Sequence, residues 1–357
     1  VTLDGITTVI DSGMHKVLRC SPWSGLSALL SEQIPKSSAN QRAGRAGRTA
    51  PGRCIRLYTE SNYTARPDQL NPELQRADIA GTVLTLAQLG VSALTDLNWL
   101  DPPDEARWEA ARQLLHELGA LNIDGELTAD GDFMSKLPLH PRLGRLLIHA
   151  ASGGAPKAGA LAAALLSEGV RLPDNAGDGD SDIDCLIALY KGHTLPRAIK
   201  ARIKRVTDEL TRRVKAYPAR NEPDVDALNK ALLFAFSDRV AKRRDKDPNR
   251  LQLMGRKDAQ LDNRSVVTQA PWLVAIEAVE HPQTRVRLAA AIDADWLLEL
   301  PNAEEQLMEQ VEVSWNAPAE RIDAIECTRF NGLVLEQHTI PARGQAETTI
   351  LLRKQIR

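Results

Sequence analysis

The hydrophobic pattern of the chain changes character twice, and this change constrains the fold more than any other feature of the sequence. Residues 1–66 combine short β-branched runs with one helical segment, residues 71–250 have helical spacing, and later residues form short alternating segments. Strands bury every second residue, whereas helices bury residues three or four apart. The 357 residues also exceed the usual size of one domain. The sequence therefore predicts a multidomain, mainly α protein with an α/β start and a β-rich end.

The first segment has the pattern of strands separated by a helix. The runs ITTVI, KVLRC and RCIRLY are strand candidates, and the first is typical of a buried parallel strand. A helix of about ten residues is predicted from Ser38, until Pro51 and Gly52 end it. Strand, helix and strand make α/β construction, but residues 1–66 are too few for a complete doubly wound domain.

The next segment predicts helices followed by a small hairpin. Asn71 is a good N-cap with Pro72 in the first helical turn, and Asp101 is expected to cap a second helix that two prolines open. Residues 121–130 contain an Asp-Gly pair and indicate a hairpin. Two or three helices followed by a hairpin match a winged helix, which we place at residues 67–138.

The remaining two segments differ in their periodicity. Residues 139–250 are predicted to be helical and include a long basic helix at 196–216. Residues 251–357 contain five short alternating segments, which are typical of a β-rich module such as a small barrel. We expect His140 to be a packing or capping group rather than a metal ligand. The sequence predicts no metal-binding residues.

The motif QRAGRAGR has a spacing that suits phosphate recognition. On a helix, Gln41, Arg45 and Arg48 lie at i, i+4 and i+7 and share one face, while Gly44 and Gly47 leave room on the flank. A guanidinium is always charged and binds phosphate oxygens with two parallel hydrogen bonds. Two such groups aimed at a transferring phosphoryl group are arginine fingers. The motif therefore predicts a phosphate-sensing, catalytic face.

The same motif also has a structural interpretation. Ser38 and Gln41 have the spacing of a capping box, in which case Gln41 only caps the helix. The arginines would then form a solvated face or bind a backbone phosphate. One glutamine, three arginines and two glycines at fixed spacing are more restrictive than an isolated arginine pair, and this favours the phosphate-sensing interpretation.

The motif QRAGRAGR resembles motif VI of superfamily 2 helicases of the DEAH/RHA group, and VTLDGITTVIDSG resembles the second half of their motif V. The stretches GLSALLSEQIPKSSANQRAGRAGRTAPGRCIRLYT, LPLHPRLGRLL, DRVAKRR and APWLVAIE are most similar to the bacterial HrpB branch. The resemblance covers nearly the whole chain and is strongest at its start. It implies the end of the second RecA-like domain at 1–66, a winged helix at 67–138, a helical helicase-associated (ratchet) domain at 139–250, and an OB-like HrpB-type C-terminal module at 251–357. Since the chain lacks an initiator methionine, we expect a fragment.

The resemblance implies roles for the motif residues. Gln41 would position the attacking water or the γ-phosphate, and Arg45 and Arg48 would be the arginine fingers. The implied cofactors are ATP and Mg²⁺, bound mainly by an N-terminal RecA-like domain, because the sequence contains neither G-x-x-x-x-G-K-[ST] nor D-E-x-H. We therefore expect that the chain alone does not hydrolyse ATP.

Further residues near the motifs receive roles by the same resemblance. Asp4, Arg42 and Gly44 are the implied nucleotide-binding residues. Asp4 would contact the ribose or couple to motif VI, although a simple turn acid before a strand is an equal alternative. Arg42 would pair with an acid across the cleft or support the nucleotide. Thr2 lies close to the threonine with which motif V contacts nucleic acid.

The net charge of −2 conceals a segregated charge distribution. Residues 195–250 contain sixteen Lys and Arg against eight Asp and Glu, so this segment carries +8. A localised basic region predicts contact with a polyanion. A solvated face is the simpler explanation of most charge runs, and a basic helix end can also complement the helix dipole. The nucleic-acid-contact candidates are Thr2, Lys200, Lys204, Arg212, Lys215 and Arg243.

The function that combines these observations is the C-terminal part of an ATP-dependent helicase. Its implied partners are single-stranded RNA and the N-terminal RecA-like domain of the same protein, although the residues themselves leave RNA and DNA open. Two alternatives are a motor-less nucleic-acid-binding module and a regulator that lends its arginines in trans to another NTPase. The sequence has no membrane-length apolar run and no signal peptide, and its four isolated cysteines fit a reducing cytoplasm.

Overall fold

The fold is known from a computed structural model that describes residues 5–20, 27–174, 177–192, 194–217, 224–245, 247–280, 283–316, 319 and 321–341. These residues form two compact units. The first consists of the described residues up to 116 together with 121–127, 279 and 280, and the second contains the others. The division falls inside the predicted winged helix, and the bounds of the four predicted domains stay predictions. No helix in the described ranges has the length and hydrophobicity needed to cross a lipid bilayer.

The first unit contains two small sheets and short helices. Its strands are β1 Thr8–Asp11, β2 Met14–Cys20, β3 Ser27–Gln33 and β4 Arg53–Arg56. Its helices are α1 Lys36–Ala43, α2 Glu60–Thr64, α3 Ala80–Gln88 and α4 Glu105–Glu117. β1 pairs in parallel with β4, which confirms the predicted α/β start, and β2 pairs with β3 in an antiparallel hairpin. The sequence predicted β2 but not its partner β3.

The parallel pair of strands exposes apolar side chains. Ile10 and Ile55 are register partners, and they are 67% and 41% exposed. Leu57, just after β4, is 64% exposed. Parallel sheets normally bury both faces under helices. This exposed apolar surface is therefore typical of a sheet that further elements normally cover.

Two helix starts differ from the prediction. Asn71 precedes a short 3₁₀ turn at Glu73–Gln75, and the following α-helix begins only at Ala80. Asp104 rather than Asp101 caps α4, since its carboxylate accepts a hydrogen bond from the backbone N–H of Arg107 at 2.9 Å. Proline has no backbone N–H, so Pro102 and Pro103 cannot donate a hydrogen bond to the Asp101 carboxylate. The cap therefore forms at Asp104, after both prolines. The predicted hairpin at 121–130 is reduced to one antiparallel bridge, between Leu121 and Leu127.

The second unit combines helices with a barrel and a further sheet. Its helices are α5 Ala129–Ser135, α6 Pro141–Ser152, α7 Pro156–Ser167, α8 Asp182–Lys191, α9 Arg197–Arg213, α10 Ala227–Ala235 and α11 Ala303–Gln306. Its strands are β5 Val240–Arg244, β6 Asp247–Leu253, β7 Lys257–Leu261, β8 Trp272–Glu280, β9 Thr284–Ala291, β10 Leu307–Asn316, β11 Arg321–Phe330 and β12 Leu333–Ile340. The strands close into a barrel in the order β5-β6-β7-β9-β8, and β10-β11-β12 form an antiparallel sheet.

The barrel agrees with the predicted β-rich module but begins earlier. Its five strands, with β7 and β9 parallel, are compatible with an OB-like module. The segment VAKRR, predicted as the end of a helix, is strand β5. Val240 and Ala241 are fully buried on this strand, and α10 already ends at Ala235. The prediction that the helical segment extends to residue 250 is therefore wrong, because barrel packing decides the conformation of this stretch.

The helical core forms around α6. Leu146 and Leu147 are fully buried, and a Cβ on Gly159 of α7 would lie 2.5 Å from the Cβ of Ala150. Small residues thus allow α6 and α7 to pack closely. The ring Nδ1 of His140 accepts a hydrogen bond from the backbone N–H of Arg142 at 3.2 Å and caps α6, which confirms the predicted capping role.

A buried carboxylate joins the helices of the second unit to the barrel. Asp182, in the first turn of α8, is fully buried. Its oxygens accept hydrogen bonds from the Ser265 hydroxyl at 2.8 Å and from the backbone N–H groups of Val266 at 2.8 Å and Ala289 at 2.7 Å. Burial raises the pKa of Asp182, although these donors act against the rise. Because all three donors lie on the barrel side, the carboxylate fixes where α8 meets the barrel.

We expect Asp182→Asn to destabilise the second unit by about 2–4 kcal/mol, because an amide presents only one acceptor oxygen to three donors. Urea denaturation followed by circular dichroism measures the loss. The matched control is Asp178→Asn, since Asp178 is exposed and is bonded by the Thr268 hydroxyl. Equal losses in the free energy of unfolding for the two variants would contradict the role of Asp182 in fixing α8 to the barrel.

Candidate functional site

The motif segment, residues 41–48, lies at the end of α1 and in the turns that follow. Gln41 is in the last turn of α1, which ends at Ala43. The backbone then tightens, because the N–H of Arg45 donates to the carbonyl of Arg42 and the N–H of Ala46 donates to Ala43, each at 3.1 Å. The predicted helix through Arg48 is therefore wrong, and Arg45 and Arg48 extend from turns rather than from one helical face.

The ends of α1 also decide between the two interpretations of Gln41. The helix begins at Lys36 after Pro35, and no side chain caps it. Ser38 lies inside the helix, so the capping-box interpretation is wrong. Gln41 and Arg48 are exposed and Arg45 is half-buried. The amide and both guanidiniums thus lie at or near the surface, and their catalytic role stays a prediction.

A glycine outside the motif shapes the turns. A Cβ on Gly52 would lie only 2.0 Å from the carbonyl oxygen of Ala46, which is itself buried. No side chain fits at this distance. Gly44 is the C-cap of α1 and is exposed. The conformation of the turns therefore depends on the absence of a side chain at residue 52.

The first arginine of the motif, Arg42, points into the unit. The Nη1 of Arg42 donates to Asp11 Oδ1 at 2.8 Å, and its Nη2 donates to the Met14 carbonyl at 3.0 Å. The resemblance implied that Arg42 pairs with an acid across the cleft or supports the nucleotide. Arg42 does pair with an acid, but that acid lies in the same unit at the end of β1.

Asp11 is a site residue that the sequence analysis missed. It is 1% exposed, and it also accepts hydrogen bonds from the Tyr58 hydroxyl at 2.7 Å and from the Gly13 N–H at 3.0 Å. Burial alone would raise the pKa of Asp11, but the donors from Tyr58, Gly13 and Arg42 outweigh it, and the pKa lies below its ordinary value. The Asp-Ser-Gly turn after a buried strand was the available signal.

A buried arginine completes this network. Arg66 is 5% exposed and donates to the carbonyls of Gly13 at 3.1 Å and Ile34 at 3.2 Å, and its guanidinium lies 3.9 Å from the centre of the Tyr58 ring. Gly13 has a φ of +72°, and a Cβ there would lie 2.5 Å from Arg66 Nη2. Only glycine suits both the conformation and the space at this turn.

The predicted nucleic-acid candidates on α9 differ in how accessible they are. Lys200 is half-buried and donates to the Gly192 carbonyl at 2.5 Å, so it caps the end of α8. Lys204 is exposed and forms an ion pair with Asp208 at 2.6 Å. Arg212 is exposed, and so is Lys215, which lies in the 3₁₀ turn after α9. Arg197 and Arg205 are exposed as well and, at helical spacing, lie on the same side of α9 as Lys204 and Arg212.

Arg243 is half-buried, and its guanidinium binds backbone carbonyls. Its guanidinium donates to the carbonyls of Ala270 at 2.8 Å and Val267 at 2.6 Å, and also to that of Pro248. Burial lowers the pKa of Arg243. The predicted helix-dipole role is wrong, because Arg243 lies on strand β5 rather than at a helix end. The nucleic-acid contact stays a prediction. Thr2 and Asp4 lie outside the described residues.

We expect Gly52→Ala to disorganise the motif turns, because the added methyl would meet the Ala46 carbonyl. The clash costs about 1–3 kcal/mol, and the amides of Arg45 and Ala46 exchange at least about tenfold faster in hydrogen-exchange mass spectrometry. The matched control is Gly47→Ala, where an added Cβ has nothing within 4 Å. Unchanged exchange in Gly52→Ala would show that the turns do not depend on this contact.

Comparisons with known proteins agree on one relationship. Residues 111–139 match the family model of the helicase-associated domain (HA2), winged-helix. The ATP-dependent RNA helicase HrpB of Escherichia coli K12 is 32% identical over 303 residues, which cover 84% of this chain and 35% of that protein. The chain therefore spans about a third of the length of this curated relative.

Solved structures show the same similarity in three dimensions. A crystal structure of the E. coli DExH-box NTPase HrpB matches with a TM-score of 0.76 and 28% identity, over 98% of this chain and 41% of that one. A crystal structure of the Escherichia coli DEAH/RHA helicase HrpB matches with a TM-score of 0.77 and 26% identity, over 98% and 42%. In sequence and in fold, the chain is thus similar to the C-terminal portion of the DEAH/RHA-type helicase HrpB, which confirms the predicted resemblance.

Proposed function

We propose that the chain works as the C-terminal part of an ATP-dependent RNA helicase and supplies Arg45 and Arg48 as arginine fingers. The observation that carries this proposal is the motif segment. Gln41, at the end of α1, and Arg48 are exposed, and Arg45 is half-buried. The close approach of Gly52 to Ala46 and the Arg42 hydrogen bonds hold the end of α1 and the following turns in place. Fixed donors near solvent are what a phosphate held by another domain requires.

The donor chemistry of the segment fits ATP with Mg²⁺ bound mainly by another RecA-like domain. ATP supplies the phosphoryl group whose transfer to water provides the free energy. Arg45 and Arg48 donate to phosphate oxygens as negative charge develops there, and the Gln41 amide orients the attacking water. Gly44 leaves space beside them at the end of α1. The E. coli relative is by name an ATP-dependent RNA helicase, and this supports the same activity for the protein to which the chain contributes.

The exposed parallel strands support a place within a larger RecA-like sheet. Ile10, Ile55 and Leu57 present apolar surface on β1 and after β4. Further parallel strands and their helices would remove this surface from water and complete an α/β layer. The function proposed for the motif segment needs the same partner, because the fingers can complete a nucleotide site only when the nucleotide is bound opposite them.

The basic side of α9 supports contact with a single strand. Lys204, Arg205 and Arg212 are exposed on one side of the helix, with Arg197 at its start. Asp208 offsets part of this charge, but the net charge of this side of α9 is still positive. Such side chains bind phosphates without reading the sequence of bases. We therefore propose single-stranded RNA as the partner of α9, with a smaller contribution from Lys200 and Arg243, whose donors already bind backbone carbonyls.

The finger role predicts a specific kinetic signature. In a chimera in which this chain replaces the corresponding part of E. coli HrpB, Arg45→Ala and Arg48→Ala should each lower kcat for ATP by about 10³-fold. KM should change little, because the fingers act mainly in the transition state. Steady-state ATPase assays with RNA measure both constants.

The matched control is Arg53→Ala, which removes an exposed arginine on the neighbouring strand β4 and should leave kcat unchanged. The chain on its own should show no turnover above an Arg45→Ala sample. Turnover by the isolated chain, or full activity of both finger variants, would overturn the proposal. Stimulation of a separate, unlinked NTPase would instead favour the regulator that acts in trans.

The α9 contact predicts a change in salt dependence. Arg205→Gln combined with Arg212→Gln should reduce the slope of log affinity against log salt by about 1.4 for a single-stranded RNA, since each lost phosphate contact removes about 0.7. Fluorescence anisotropy with the isolated chain measures the slope. The control, Arg250→Gln with Arg285→Gln, removes two exposed barrel arginines. If the control weakens RNA binding equally, the loss of affinity reflects the total charge of the chain, and the proposed contact at α9 is refuted.

A further inference from the structure

One guanidinium connects the motif segment to the β2–β3 hairpin. Arg42 belongs to α1, and its Nη1 binds the Asp11 carboxylate while its Nη2 binds the carbonyl of Met14, the first residue of β2. Both hydrogen bonds come from the same planar group, so their directions are fixed relative to each other. A movement of α1 therefore displaces the base of the hairpin unless one of these bonds breaks.

The hairpin is stiff enough to move as one piece. Arg19 on β2 donates to both carboxylate oxygens of Glu32 on β3, at 2.6 and 2.7 Å. At the base, the Ile34 N–H donates to the Gly13 carbonyl at 3.0 Å. Arg66 donates to the carbonyls of both Gly13 and Ile34. The described part of the hairpin is thus braced across its strands and closed where it meets Arg42.

Asp11 is the group that fixes the orientation of Arg42. Its carboxylate is buried, and both oxygens are in use: Oδ1 accepts from Arg42 and the Gly13 N–H, and Oδ2 accepts from Tyr58. A neutral amide at this position would present an N–H₂ group to one of these donors. Charge and geometry at Asp11 therefore both hold Arg42 in place.

We propose that Asp11 is a positioning residue that, through Arg42, holds the motif segment and the base of the β2–β3 hairpin together as one rigid body. This coupling between the motif segment and the hairpin involves only residues of this chain, so it does not depend on the proposed function. Its consequence for catalysis rests on the proposed function, since a shift of α1 moves the segment that carries Arg45 and Arg48.

Hydrogen exchange of the isolated chain tests the coupling. In Arg42→Lys the ammonium can keep the Asp11 contact but cannot also reach the Met14 carbonyl in the same geometry. We expect amides at the start of β2 to exchange at least about tenfold faster, while α4 keeps its protection. Asp11→Asn should accelerate both α1 and the start of β2.

The matched control is Arg56→Lys. Arg56 on β4 also contacts α1, through the Asn40 side chain at 3.0 Å, but its guanidinium makes no hydrogen bond to the described part of the hairpin. It should leave exchange in β2 unchanged. Equal acceleration throughout the first unit in Asp11→Asn, or acceleration of β2 by Arg56→Lys, would overturn the coupling and leave Asp11 as a general stabiliser.

A double-mutant cycle in the chimera tests the positioning role. If Asp11 acts through the fingers, Asp11→Asn lowers kcat at least about tenfold with KM for ATP little changed, and it costs much less in an Arg45→Ala background. Additive losses would overturn positioning. An inactive wild-type chimera would refute the proposed function instead, and the exchange experiment would still decide the coupling.

Discussion

The first unit depends on one buried negative charge. A carboxylate removed from water is strongly unfavourable unless donors replace its hydration, and Asp11 receives three of them. These donors come from the turn after β1, from α1 and from the residue Tyr58 after β4. Three parts of the chain that are distant in sequence must therefore meet at this point. The position of the motif segment follows from this requirement rather than from the helix that carries its first residue.

The second unit uses the same physical device at another joint. The carboxylate of Asp182 gathers donors from two barrel segments, whereas the Arg142 guanidinium binds both oxygens of Asp238 at 2.6 and 2.7 Å beside β5. Such buried polar pairs contribute less to stability than apolar packing of equal volume. Their directional bonds instead specify one arrangement of helices and barrel.

Sequence patterns predicted those elements whose periodicity is local. The parallel strands β1 and β4, the basic helix α9 and the alternating segments of the β-rich module follow from residues within each element. The missed features depend on distant contacts. Arg243 is identified as internal only by carbonyls of residues 267 and 270, and β3 is recognisable only beside β2. The donor groups of the candidate site were thus readable from the motif, but Asp11, the group that orients Arg42, was not.

The end of α1 at Ala43 changes how the motif can work. On a continuous helix, Arg45 and Arg48 would be separated by a fixed rise of about 4.5 Å along one axis. On turns, their separation is set by contacts outside the motif, namely Ala46 against Gly52 and Arg42 against Asp11. The same eight residues placed in another setting would present their guanidiniums differently. The spacing of the motif therefore specifies which donors are available, whereas the surrounding unit specifies where they point.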